Sequence, residues 1–238
     1  MKRIIDETVF VSSPVFPLPP FFREHHLLGV REFGDYINFL KINGAKVLMT
    51  TEGTTSFDLL STGEISVFNK TLSDSFPHAC ILGLPRLGLE KLLEQIKWYN
   101  ENIINDKAAL MLLFPERFYS DNQVVDFFAE AAEASAVPVF IHGRQLVRAF
   151  GAPFYYTADL MNKIYDASSN IVGMKEEEKS IDNVLEFCHN VRKDRVCIFS
   201  GKGMSKYNVV WNNLQGDKSH STYLVGIGSL CPMIENVY

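Results

Sequence analysis

The strongest constraint on the fold is a regular alternation of short apolar runs with amphipathic segments along the 238-residue chain. The apolar runs are nearly continuous, as expected for parallel strands whose outer face is covered by helices. The segments between them repeat apolar residues at spacings of three and four, which predicts helices. Eight strands are predicted in this way, at residues 9–11, 47–49, 79–84, 108–114, 137–142, 171–175, 196–200 and 222–229.

Eight strand–helix units predict an α/β fold, a closed (β/α)8 TIM barrel, formed by residues 1–238 as a single domain. An open doubly wound sheet is the alternative, but its G-x-G-x-x-G fingerprint does not follow the first predicted strand. Residues 230–238 remain after the eighth strand, and at about 1.5 Å of rise per residue they form only a stub. We therefore expect the last covering helix to be missing.

Three helix boundaries are predicted from local sequence. The pair Asn43-Gly44 ends the first helix, because glycine suits the left-handed position that follows a helix. Ser61 and Glu64 have the spacing of a capping box at the start of the second helix, and Ser120 with Gln123 has the same spacing before the fourth.

Composition excludes several classes of function. The formal net charge is -5 and the basic residues are scattered, so we expect no nucleic-acid partner. No secretory signal and no bilayer-spanning apolar run are visible, which predicts a cytoplasmic protein without a membrane partner. The cysteines are far apart and the histidines lack carboxylate-rich spacing, so we expect reduced core thiols and no metal site. The four cysteines are Cys80, Cys188, Cys197 and Cys231.

Lys175 ends the sixth apolar run and leads into the acidic turn Glu176–Glu178. With a period of two, Ile171, Gly173 and Lys175 share one face of the strand, and the glycine leaves room beside the lysine stem. A neutral lysine amine attacks carbonyl carbons, so this placement suggests a nucleophile. The alternative is a solvated lysine in a charged loop. The acidic turn itself is most simply interpreted as solvated.

Polar residues also follow other predicted strands, and the carboxyl ends of barrel strands meet at one mouth. Gly53-Thr54-Thr55 follows the second strand and offers hydroxyl and backbone N–H donors to a small carboxylate, although the segment could also be a plain turn. His142 ends the fifth strand, Gly201 follows the seventh, and Ser229 ends the eighth.

The sequence resembles the class I aldolases of the dihydrodipicolinate synthase and N-acetylneuraminate lyase type. Gly53-Thr54-Thr55 is similar to the family's G-T-T-G-E carboxylate motif, and residues 170–175 are similar to its N-I-V-G-I-K motif. The segments 199–201 and 226–229 resemble its seventh and eighth strand ends. This resemblance implies a lyase or aldolase that needs no cofactor. Lys175 would form a Schiff base with pyruvate or a related 2-oxo acid, and Thr54 and Thr55 would hold its carboxylate.

The sequence departs from this family at the proton relay. Typical members have a Tyr-Asn pair where this chain has His142-Gly143, and Glu116-Arg117 replaces paired tyrosines. His142 is a candidate relay because an imidazole exchanges protons near neutral pH, but a structural core histidine is equally open. Ser229 would hydrogen-bond a polyol tail or only cap its strand. A second hypothesis is therefore a catalytically weakened paralogue, a 2-oxo-acid-binding or regulatory barrel.

Family members add helices after the eighth strand that cover the barrel and help to build tetramers, and this chain is too short to supply them. An uncovered flank of the eighth strand would expose apolar surface. We therefore expect either a partner subunit packed on this flank, as in a homo-oligomer, or poor solubility of the isolated chain.

Overall fold

A computed structural model describes residues 6–24, 28–51, 57–115, 120–143, 146–147, 153–154, 156–200, 203–213 and 220–225. Within these residues, eight strands form one sheet and seven α-helices alternate with them. The strands are β1 (Val15–Pro17), β2 (Val47–Met49), β3 (Ala79–Gly83), β4 (Ala108–Leu112), β5 (Val139–Gly143), β6 (Ile171–Glu176), β7 (Val196–Phe199) and β8 (Ser221–Tyr223). The helices are α1 (Val30–Ile42), α2 (Thr62–Ser75), α3 (Leu89–Asn102), α4 (Asp121–Ala134), α5 (Ala158–Ala167), α6 (Ile181–Asn190) and α7 (Gly203–Asn213). Leu146–Val147 and Pro153–Phe154 form a separate antiparallel pair between β5 and α5.

Each strand pairs with the next in chain order, and every pairing in the large sheet is parallel. A parallel bridge between Val15 and Leu224 closes the sheet on itself, and the Val225 N–H donates to the Val15 carbonyl at 3.0 Å. The predicted TIM barrel is confirmed. The carboxyl end of the predicted eighth strand and the expected absence of a last helix concern residues outside the described ones.

The predicted first strand at residues 9–11 is wrong. Glu7–Val11 forms a 3-10 helix, whose first turn is capped by the Asp6 carboxylate accepting from the Thr8 N–H. Phe10 is fully buried and its ring meets that of Phe140 edge-on, with centroids 5.1 Å apart. The apolar run therefore fills the barrel interior near the start of β5 instead of pairing with a strand, and the first strand follows it.

The predicted helix boundaries are confirmed. Asn43 follows the last residue of α1, and Gly44 has a φ of 91°, in the left-handed region that favours glycine. Ser61 and Glu64 make both halves of the capping box. Ser120 accepts a hydrogen bond from the Gln123 N–H at the start of α4.

The strand β6 departs from simple alternation. Its pairing with β5 shifts by one residue, because Val139 pairs with Ile171 whereas the next residue, Phe140, pairs with Gly173. Ile171 therefore packs in the outer layer between strands and helices, and Val172 packs in the barrel interior. The prediction that Ile171 shares a face with Gly173 and Lys175 is wrong, since this bulge resets the alternation.

Gly173 is closely surrounded. A Cβ atom at this position would lie 2.3 Å from the Val196 carbonyl oxygen and 2.8 Å from the Phe140 ring. The predicted open space beside the Lys175 stem is therefore absent, because Phe140 and Val196 occupy it. Glycine is required here for close packing of β6 against its neighbours.

We expect Gly173→Ala to destabilise the fold by about 1–3 kcal/mol, because the added methyl group overpacks a site bounded by backbone. Gly34→Ala is the matched control. A Cβ there meets nothing within 4 Å, and alanine in a helix interior is more stable than glycine by about 0.5–1 kcal/mol. Urea unfolding of the two variants measures both effects. Equal stability of the two variants would contradict the packing argument.

Candidate active site

Adjacent strands bring Lys175 and His142 together. The two residues are direct partners in the pairing of β5 with β6, near the carboxyl end of each strand. Both side chains are buried, with exposed fractions of 0% for Lys175 and 1% for His142. The carboxyl ends of strands form the catalytic face of barrels of this kind. The alternative of a solvated loop lysine is therefore wrong.

Lys175, His142 and Glu177 meet in one hydrogen-bonded cluster, called here the lysine cluster. The Lys175 Nζ lies 2.8 Å from the His142 Nε2 and also donates to the Glu177 Oε1. The same carboxylate oxygen is 3.0 Å from the His142 Nε2. Each of the three groups therefore contacts the other two.

Two hydroxyl groups surround the lysine cluster. The Thr51 Oγ1, just after β2, lies 3.4 Å from the His142 Nδ1. The Ser200 hydroxyl, just after β7, donates to the Glu177 Oε1 at 3.4 Å. The contact from Thr51 bears on which tautomer His142 adopts, because the partner of one ring nitrogen sets the role of the other.

A second network fixes the end of β2. The Thr50 hydroxyl donates to the Asn69 side chain, and the Asn69 amide donates to the Gly83 carbonyl at 2.9 Å and to the Tyr99 hydroxyl at 2.7 Å. A Cβ on Gly83 would lie 2.6 Å from the Thr50 carbonyl oxygen. This packing holds Thr51 opposite His142.

Glu177 supplies a fixed negative charge. Burial raises the pKa of Glu177, but the hydrogen bond from His142 and the charges of His142 and Lys175 outweigh it, so the pKa lies well below its usual 4.5. The carboxylate is therefore ionised at neutral pH. A positive charge on either neighbour is stabilised by this anion.

Glu176 points to the opposite side of β6. Its Oε2 accepts from the Nζ of Lys206 on α7 at 2.7 Å, and the same amine donates to the Glu178 carbonyl at 2.6 Å. The Glu176 and Lys206 side chains are 4% and 1% exposed. Burial raises the pKa of Glu176, and Lys206 opposes that shift. This ion pair attaches the turn after β6 to α7.

The interpretation of Glu176–Glu178 as a solvated turn is wrong. Glu176 and Glu177 pair with lysines on opposite sides of β6, and the Glu178 carboxylate accepts from the backbone N–H groups of Lys179 and Ser180. The sequence contained a signal for Glu177. The period of two that places Lys175 inward continues for two more residues and places Glu177 on the same face.

A cavity of about 1030 Å³ lies beside the cluster, between α5 and α6. Its lining includes Met174, Asn183 and Phe187, and it touches the lysine cluster only through Glu177. Neither Lys175 nor His142 lines it. The cavity is therefore on the outer side of β6 and is separate from the barrel interior.

The other predicted site residues lie outside the described residues. They are Gly53, Thr54, Thr55, Gly201 and Ser229. Among the residues that the structure describes, no group of three or more His, Cys, Asp or Glu side chains is placed to hold a metal ion. No α-helix within the described ranges is long and apolar enough to cross a membrane. Cys80, Cys188 and Cys197 are free thiols, as predicted.

No model of a known protein family matches the sequence, and a comparison with curated proteins finds no match. Solved structures do match. Dihydrodipicolinate synthase from Oceanobacillus iheyensis is 16% identical, with a TM-score of 0.74 over 97% of this chain and 74% of that one.

Two further structures are similar. A prophage protein of the dihydrodipicolinic acid synthase family from E. coli K12, solved with pyruvate, is 17% identical, with a TM-score of 0.70 over 94% of this chain and 73% of that one. The 2-keto-3-deoxygluconate aldolase from Sulfolobus, solved with D-KDPG, is 14% identical, with a TM-score of 0.72 over 94% and 71%. The chain therefore has the barrel fold of the dihydrodipicolinate synthase family and of the 2-keto-3-deoxygluconate aldolases.

Proposed function

We propose that this chain is a member of the dihydrodipicolinate synthase family and a carbon–carbon lyase or aldolase. In this proposal Lys175 forms a Schiff base with pyruvate or a related 2-oxo acid. The observation that carries it is the fully buried Lys175 amine at the carboxyl end of β6, 2.8 Å from an imidazole nitrogen. A buried lysine beside a group that can exchange protons is the arrangement that amine nucleophiles need.

The reaction begins when the neutral Lys175 amine adds to the keto carbon, and loss of water then gives an iminium ion. This cation accepts the electron pair that is released when a C–C bond breaks or a methyl proton leaves, and an enamine forms. Covalent attachment thereby divides one difficult step into two easier ones.

Substrate binding in this proposal falls on the mouth of the barrel. Thr54 and Thr55, with the backbone freedom of Gly53, would hold the 2-oxo acid carboxylate and so orient its carbonyl carbon toward Lys175. Gly201 and Ser229 would contact the remainder of the substrate. The position of Thr51, opposite His142, supports this assignment because residues 53–55 follow it closely in the chain.

His142 takes the role of proton relay in this proposal. Its Nε2 lies within hydrogen-bond distance of the Lys175 Nζ, and an imidazole can both accept and donate a proton. The alternative function is a binding or regulatory barrel that holds a 2-oxo acid without turnover, and the replacement of the family's tyrosine relay favours it.

We further propose, from the sequence, a cytoplasmic homo-oligomer.

Borohydride reduction in the presence of pyruvate tests the Schiff base. We expect a stable adduct on Lys175, located by peptide mass analysis, because reduction converts the iminium to a secondary amine. Lys175→Met should abolish the adduct, whereas Lys179→Met, which removes an exposed amine four residues away, should retain it. An unmodified Lys175 with pyruvate and other 2-oxo acids would exclude the lyase proposal.

His142→Gln tests the relay. An amide preserves hydrogen bonding but cannot transfer protons, so we expect exchange of the methyl protons of pyruvate to slow by about 10²–10⁴-fold. His189→Gln, an exposed histidine on α6, is the matched control and should leave exchange unchanged. Exchange is followed by NMR in deuterated water. A wild-type adduct that neither exchanges protons nor makes or breaks a C–C bond would favour the binding barrel.

A further inference from the structure

We propose that Glu177 is a catalytic residue that stabilises one positive charge as it moves between Lys175, His142 and the Schiff-base nitrogen. This inference rests on the proposed function. Its basis is geometric: a single carboxylate oxygen contacts the Lys175 Nζ and lies 3.0 Å from the His142 Nε2. An anion in contact with both nitrogens stabilises the charge on either of them.

The first step is a proton transfer within the cluster. The Lys175 ammonium passes a proton to the His142 Nε2, 2.8 Å away, which leaves a neutral amine and an imidazolium. The net charge of Lys175 and His142 together is unchanged, and the positive charge stays beside Glu177. Without the carboxylate, the cation would be buried without this counter-ion, at a large cost in free energy.

The second and third steps retain the same charge. The amine lone pair forms the C–N bond while the carbonyl π pair moves to oxygen, and one N–H proton transfers to that oxygen, giving a neutral carbinolamine. In the third step, the imidazolium of His142 protonates the hydroxyl group of the carbinolamine. The C–O bond breaks, water leaves, and the nitrogen lone pair completes the C=N bond. The positive charge moves from His142 to the iminium nitrogen at Lys175, still in contact with Glu177.

Among the described residues, Glu177 is the carboxylate placed to stabilise the positive charge on Lys175 or His142. The titratable groups that face its carboxylate are Lys175 from β6 and His142 from β5, and β7 contributes the Ser200 hydroxyl. The neighbouring Glu176 is paired with Lys206 from α7 on the other side of β6. Glu177 also remains partly accessible, with 25% of its side chain exposed.

The test is the pH dependence of borohydride trapping at low pyruvate concentration. Removing an anion beside a cationic acid lowers the pKa of that acid. Glu177→Gln should therefore shift the rising limb of the plot of trapping rate against pH by about one to three pH units to lower pH. Above that limb we expect methyl-proton exchange to fall by about 10²-fold, because the iminium loses its counter-ion.

Two further variants complete the comparison. Glu130→Gln makes the same chemical change at an exposed position on α4, and its profile should match the wild type. Glu177→Asp keeps the charge but holds it one methylene further from the two nitrogens, so its rising limb should shift to lower pH by less than that of Glu177→Gln. If the glutamine variant does not fold, the aspartate variant carries the test. A folded aspartate variant whose rising limb matches that of the wild type would overturn the inference.

The outcomes separate this inference from the proposed function. No adduct in the wild-type protein overturns the proposed function and this inference with it. An adduct in the wild type, with an unshifted pH profile in a folded Glu177→Gln variant, overturns the inference alone. In the Glu177→Gln variant, an equal loss of trapping at every pH with an unshifted rising limb would assign Glu177 a purely structural role, since structural damage does not move a titration.

Discussion

The parallel pairing of β5 with β6 is the constraint on which the rest of the site depends. It places His142 beside Lys175 as direct partners, and the bulge at Val172 determines which residues of β6 face inward. Strict alternation counted back from Lys175 would present Ile171 to the interior, whereas the bulge places Ile171 beside Val139 in the outer layer. Gly173 is part of the same arrangement, because only a residue without a side chain fits between Phe140 and Val196.

The alternation of side chains along β6 determines which side of the strand each charged residue faces. Lys175 and Glu177 face the barrel interior, whereas Glu176 faces α7 and pairs with Lys206. Each charge is compensated within hydrogen-bond distance, as a buried ion requires. Removing one partner of such a buried pair typically costs about 3–5 kcal/mol, because the other charge is left without compensation. The outer pair thus holds the turn that carries Glu177 toward Lys175.

Much of the fold could be predicted from the sequence, because apolar periodicity and helix caps are local signals. The strand at residues 47–49 and the capping box of Ser61 were predicted correctly for this reason. The 3-10 helix was missed because an apolar run such as Val9, Phe10 and Val11 suits a buried strand and a short helix that fills the barrel interior equally well. The packing around Gly173 was missed because it depends on Phe140, which is far away in the sequence.

The site was predicted less completely than the fold. Lys175 and His142 were identified because each ends an apolar run. Glu177 was interpreted as part of a solvated turn because three successive glutamates resemble a surface loop. Alternation carried two residues past Lys175 would have separated it from Glu178, whose carboxylate binds backbone N–H groups, but its contact with His142 on β5 is visible only in the folded barrel.

The proposed relay and its counter-ion are chemically dependent on each other. A tyrosine relay gives up and regains a proton as a neutral phenol, so it adds no cation to the site. A histidine that accepts a proton becomes a cation beside an amine that itself becomes a cationic iminium. These cations form in turn, so one positive charge moves between two nitrogens in a buried site, and an anion in contact with both stabilises it at either position. The histidine at position 142 and the glutamate at position 177 therefore form a consistent pair. Together they would supply by charge compensation the proton transfers that the family obtains from a phenol.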